Sequence, residues 1–226
     1  MQLSKIRKRF TAALEDTLKG VLGYGAQSPD EYALMLFYHL GWEDCSQPHF
    51  VAGKRTRPLI TMLSAASAGG DWRCALPFGA AVELIHNFSL VHDDIQDESP
   101  LRHARATVWA LWGTDQAINA GDALFAYAHL AVQQAVALPV EARNRALCLL
   151  DEACIALTRG QHLDMRFERR DSVTVDEYIQ MVGGKTAALI ATAAELGALA
   201  AGADSERQAH YHAFGRELGL AFQIRD

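Results

Sequence analysis

The stretch PFGAAVELIHNFSLVHDDIQDES, Pro77 to Ser99, decides the fold. Proline opens it, apolar residues recur at helical spacing for some four turns, and three aspartates then crowd into five positions. On one long helix Asp93 and Asp97 share a face, while Asp94 sits about 100° round. Like charges at that spacing repel, by a few tenths of a kcal/mol in water and by more beside apolar walls. The preceding turns, AAVELIHNFSLV, are too apolar for a surface helix, so the acids are expected to face a cavity mouth. Oxygen ligands without His or Cys suit Mg²⁺, which takes one or two carboxylates and completes its shell with water and substrate phosphates. The pattern therefore predicts a diphosphate substrate.

Outward from this stretch, helical spacing continues almost everywhere, and no period-two alternation of strand length is bounded by turn signals. The expected class is all-α, a single-domain helical bundle. PLITMLSAASAGG opens at Pro58 and closes at Gly69 and Gly70, and TVDEYIQMVGG starts with the capping box Thr174 and Glu177 and stops at Gly183 and Gly184. Further helices are expected over Asn119–Ala137, Glu141–Phe167, Lys185–Ala201 and from Ser205 onward.

Composition bounds the function. The chain has 226 residues, half of them apolar, enough for one sizeable core with no composition break. A net charge of −6 argues against a general nucleic-acid binder. No signal peptide, transit peptide or bilayer-length apolar run is expected, and the cysteines, Cys45, Cys74, Cys148 and Cys154, lack metal-site spacing. These features together predict a cytoplasmic protein with reduced thiols and no integral membrane segment.

A diphosphate needs cations. GKRTRP supplies Lys54, Arg55 and Arg57 before a helix start, and LRHARATVW places Arg102 and Arg105 what would be one to two helical turns past Asp97. GQHLD sets Gln161 and Asp164 on one helix face, and GGKTAALI sets Lys185 and Thr186 after a glycine pair able to break a helix. Taken with GDALFA and the closing LGLAFQIRD, these motifs in this order resemble the trans-polyprenyl diphosphate synthases, the family of farnesyl and geranylgeranyl diphosphate synthases.

The resemblance covers nearly the whole chain, residues 1–226, and implies an isoprenoid-synthase helical bundle. It implies that Asp93 and Asp97 hold Mg²⁺ against an allylic diphosphate, with Asp94 in support. Arg102, Lys185, Thr186 and Gln223 would contact that diphosphate, while Gly53, Lys54, Arg57 and His86 would bind isopentenyl diphosphate. Asp164 and Gln161 would order metal-bound waters and face the developing allylic cation. Two departures stand out. His103 occupies the place of an arginine expected at the isopentenyl site. Asp226, a further metal candidate, falls where a second aspartate-rich motif begins, so a C-terminal part after Asp226 is expected. Chain length would be set behind the acids by Ile85, Phe88 and Ser89: Ser89 points within about 40° of Asp93 and Phe88 about 140° round.

The implied function is a short-chain prenyltransferase making C15 to C20 products, with geranylgeranyl diphosphate preferred, and it is expected to act as a homodimer. A class I terpene cyclase and a non-catalytic partner subunit are the alternatives. A cyclase has no use for a second diphosphate site, and partner subunits commonly lose the aspartates.

Overall fold

The computed structural model describes residues 3–42 and 53–225, so Cys45 and Asp226 lie outside the described residues. The chain is all-α as expected. Among the described residues ten α-helices run in the order α1 Leu3–Leu22, α2 Glu31–Leu40, α3 Thr56–Ser67, α4 Leu76–Gln96, α5 Val108–Trp112, α6 Thr114–Gln133, α7 Val140–Phe167, α8 Val175–Val182, α9 Ala188–Ala200 and α10 Ser205–Arg225. Helix α4 lies at the centre. Its principal neighbour is α6, and it also meets α1, α3 and α9. Phe78, Val82, Leu84 and Ile85 on α4 are fully buried, a face broader than a surface helix presents. The stretch Trp72–Gln96 is long and apolar enough to cross a membrane by length and composition alone, but two thirds of its most apolar window is buried inside the bundle, as in a core helix.

Local chemistry explains most helix ends. Asp30 caps α2 by accepting from the Ala33 amide at 2.8 Å, and Gly41 closes it in the left-handed region at φ 84°. Thr174 and Glu177 form the expected capping box of α8. Helix α4 ends in a Schellman motif: the Ser99 amide donates to the Asp94 carbonyl at 3.0 Å and the Glu98 amide to Ile95 at 3.2 Å, with Glu98 at φ 48°.

Two expectations need correction. Gly183 and Gly184 do not stop a helix. Residues Gly183–Ala187 form one π-helical turn that carries α8 into α9 without a break. The glycines serve a close crossing instead, because a Cβ on Gly184 would lie 2.6 Å from the Ala156 carbonyl of α7 and one on Gly160 would lie 2.1 Å from the Lys185 amide. The arginine segment is not helical either. It is a hairpin of two two-residue strands, β1 Leu101–Arg102 and β2 Arg105–Ala106, with Arg102 opposite Arg105. Both turn residues, His103 at φ 51° and Ala104 at φ 63°, are left-handed. A turn of that kind is the local solution for a two-residue hairpin loop, and it removes the arginines from any helical register with Asp97.

Candidate active site

The acids sit at the C-terminal end of α4, where the helix dipole already presents negative potential. Asp97 is the cap residue, and its amide still donates to the Asp93 carbonyl at 2.8 Å, so the two carboxylates keep helical spacing. Burial pushes the Asp93 carboxyl up to about 6; Asp97 and Asp94 add to the rise, while Lys185 and Arg102 oppose it. Burial also raises Asp94, against the pull of Arg102. Asp94 is only 2 % exposed, and Arg102 grips it through Nη2 at 2.7 Å and Nε at 2.9 Å. Arg102, expected on a diphosphate, is thus engaged with an aspartate.

Other expected partners gather around the same mouth. Lys185, on the π-turn, forms an ion pair with Asp164 of α7. Thr186 donates to the Gln223 side chain of α10 at 2.9 Å. Gln161 is buried, its Nε2 donates to Gln96 Oε1 at 3.0 Å, and its own Oε1 has no hydrogen-bond partner among the described residues. Gln96 was not singled out from the sequence, because the middle of an aspartate motif gives no signal for which neighbour it meets.

A second, basic cluster lies within electrostatic reach of Arg102. Arg57 Nη1 donates to His86 Nε2 at 3.0 Å; guanidinium has no acceptor, so His86 accepts and is neutral. Burial, Arg57 and Arg102 hold the His86 ring well below its ordinary value. His39 on α2, for which no motif gives a signal, lies within electrostatic reach of the same group of cations. Burial and then Arg102, Arg55 and Arg105 lower its ring to about 3, and its Nε2 has no partner among the described residues. Gly53 and Lys54 are exposed at the lip, as is His103 on the hairpin turn. Arg55, one residue from Lys54, turns inward: it binds Glu83 at 2.7 Å, Glu15 at 2.8 Å and the Leu40 carbonyl at 3.0 Å. That guanidinium is scaffold. Arg105, considered as a phosphate ligand beside Arg102, is 8 % exposed and stacks over the Tyr38 ring.

Behind the acids, Ile85 is fully buried and Ser89 donates to the His86 carbonyl at 2.9 Å. Phe88 packs edge-on against His92 and Phe125, between α4 and α6.

Among the described residues no three His, Cys, Asp or Glu side chains converge to hold a metal unaided. The donor set still fits magnesium, because two carboxylates at a negative helix end suit an ion that takes one or two carboxylates and completes its octahedron with water and phosphate oxygens.

The polyprenyl synthetase family model matches residues 43–226. A (2E,6E)-farnesyl diphosphate synthase of Mycobacterium tuberculosis is 46% identical over 191 residues, 84% of this chain and 52% of that protein. A geranylgeranyl diphosphate synthase of the same organism is 45% identical over 197 residues, 86% of this chain and 55% of that protein. The chain thus spans about half the length of the curated relatives it matches. Among solved structures, a polyprenyl synthetase from Streptomyces coelicolor superposes with a TM-score of 0.87 at 34% identity, covering 98% of this chain and 64% of that one. A geranylgeranyl pyrophosphate synthetase from Geoglobus acetivorans gives 0.86 at 36% identity, covering 97% and 67%. With its central acid-tipped helix, its basic pocket and a family match over most of its length, this chain belongs to the polyprenyl synthetase family.

Proposed function

We propose that the protein is a short-chain trans-prenyltransferase that joins an allylic diphosphate to isopentenyl diphosphate. One observation carries the reading: Arg102 stands within reach of two charge clusters of opposite sign, the acids of α4, one of which it binds, and Arg57 with His86. One cluster suits a metal-bound diphosphate and the other a bare one. The relatives named as farnesyl and geranylgeranyl diphosphate synthases support the substrate class.

Asp93 and Asp97 would hold Mg²⁺, with Asp226, beyond the described residues, as a further ligand. The metal, when bound, neutralises charge on the leaving diphosphate. Lys185, Thr186, Gln223 and Arg102 would grip that diphosphate as its C–O bond breaks and it departs with the electron pair. Gly53, Lys54, Arg57, His86 and His103 would hold isopentenyl diphosphate with its double bond toward the allylic carbon. The unpartnered Oε1 of Gln161 supports its role facing the cation, since a fixed amide dipole stabilises developing charge without reorganising. A carbon–carbon bond forms, and a proton leaves, to the departed diphosphate. Ile85, Phe88 and Ser89 would limit the product to C15 or C20. By the family resemblance the protein acts as a homodimer in the cytoplasm.

The test is to incubate the complete protein with Mg²⁺, isopentenyl diphosphate and, separately, dimethylallyl, geranyl and farnesyl diphosphates, and to identify products by mass spectrometry with and without phosphatase. Longer linear prenyl diphosphates are expected. A cyclic product formed without isopentenyl diphosphate would make the protein a cyclase, and no turnover at all would favour a partner subunit.

A further inference from the structure

We propose that Tyr38, on a helix outside the family-matched segment, is a positioning residue that holds the arginine hairpin in register with the second diphosphate site. The inference rests on the function above for the identity of the ligand.

The hairpin cannot hold itself. Two residues per strand give too few ladder bonds for independent stability, and its turn places His103 and Ala104, both with side chains, in the left-handed region. Its base is tied to the chain leaving α4: the Thr107 amide donates to Pro100 and the Thr107 hydroxyl to Ser99, each at 3.0 Å. The return strand is tied to α2. Tyr38, 7 % exposed, donates its hydroxyl to the Ala106 carbonyl at 2.8 Å. The Arg105 guanidinium lies 3.6 Å from the centre of the same ring, and Trp112 meets that ring edge-on at 5.3 Å. One aromatic side chain therefore fixes both the backbone and the inward arginine of β2.

The adjacent residue links this anchor to the site. His39 faces Arg102, Arg55 and Arg105 and lies within electrostatic reach of His86. The C-terminal turn of α2 thus binds the hairpin through Tyr38 and brings His39 within electrostatic reach of His86. Moving the hairpin relative to α2 changes where Arg102 and His103 stand against Arg57. The family model begins at residue 43, so this anchor is supplied by a part of the chain that the match does not include.

The test is Tyr38→Phe, which keeps the stacked ring and removes only the hydroxyl. Amide exchange over residues 101–107 and calorimetric binding of isopentenyl diphosphate are read on the complete protein. Hairpin exchange is expected to accelerate, and isopentenyl diphosphate binding to weaken, by roughly fivefold, the size of one neutral hydrogen bond. Turnover at saturating substrates should stay within about twofold. The KM for the allylic substrate, whose diphosphate Arg102 of the same hairpin would grip, should rise alongside that for isopentenyl diphosphate, a split between kcat and KM that a general loss of structure does not produce. Adding Ala104→Gly, which relieves the left-handed turn, should restore binding in the Tyr38→Phe protein. Unchanged exchange overturns the anchor. Faster exchange with unchanged isopentenyl diphosphate binding overturns its link to the site. Failure of the unsubstituted protein to bind isopentenyl diphosphate overturns the ligand assignment, and exchange still decides the anchor.

Discussion

The acidic mouth and the basic pocket are built on opposite plans. In the basic pocket the scaffold cation is matched: Arg55 is closed off by Glu83, Glu15 and a backbone carbonyl, while Arg57, whose buried Nε has no hydrogen-bond partner among the described residues, donates to a neutral His86. In the acidic mouth Asp93 is half-buried at a helix end of its own sign with Lys185 committed to Asp164 and Arg102 to Asp94. The Arg55 anchor is satisfied within the protein, whereas burial in the mouth disfavours a charge on Asp93 that a cation would favour. Folding energy is conserved in one region and withheld in the other.

The largest effect that would break this contrast comes from Asp93→Asn. Turnover should fall on the order of 10³-fold, measured with saturating substrates and Mg²⁺. The metal-free variant should nevertheless be more stable than the parent. Asp93 titrates in the folded chain at about 6 against an ordinary 3.8, so its favourable contribution is present below 3.8 and lost as pH rises through 6. Thermal melts without metal should therefore coincide near pH 4 and separate by on the order of 1–3 kcal/mol at pH 8, the variant being higher. A variant that melts lower at pH 8 would remove the stored charge from the account.

Arg55→Ala probes the other region. It leaves Glu83 buried and unpaired and should cost about 3–5 kcal/mol, read by denaturant unfolding. A loss below 1 kcal/mol would show that the pocket is not scaffolded by this pair. His103→Arg should lower the KM for isopentenyl diphosphate about threefold to tenfold with little change in stability, since a guanidinium binds phosphate in a charge-assisted, bidentate manner. An unchanged KM would place His103 outside the pocket. The smallest effect is expected from Glu98→Gly, which should stabilise by about 0.5–1 kcal/mol by relieving a left-handed cap residue. A destabilised variant would mean that the Glu98 side chain contributes to the mouth.

The sequence reveals much of this because the deciding signals are local. The apolar turns before Asp93, the Thr174 box and the span of α7 all follow from neighbours within four residues. What stayed hidden depends on distant contacts. Arg55 and Arg57 are two residues apart in one basic motif, and only Glu15 and Glu83, from other helices, turn the first inward. Gly183 and Gly184 look like a stop because their other use, admitting α7 to close range, is a property of the crossing and not of the segment. The hairpin escaped notice since its strands are too short for alternation and its turn carries His103 and Ala104 where glycine or asparagine would signal one. His39 and Tyr38 sit on an ordinary amphipathic helix whose partners lie some seventy residues away.

The connection from Asp97 to Arg102 has one further consequence. Ser99 closes the Schellman motif with its amide, and its carbonyl accepts from both the Thr107 hydroxyl at 3.0 Å and the Trp109 indole at 2.9 Å. The short link between the acids and Arg102 is pinned at both edges, so it behaves as a caliper of fixed opening. Under the proposed reaction each round of elongation then begins with the allylic diphosphate held across the same span, whatever the length of tail already made. Counting carbons becomes a matter for the far end of the cavity alone, and the chemistry at the mouth repeats unchanged.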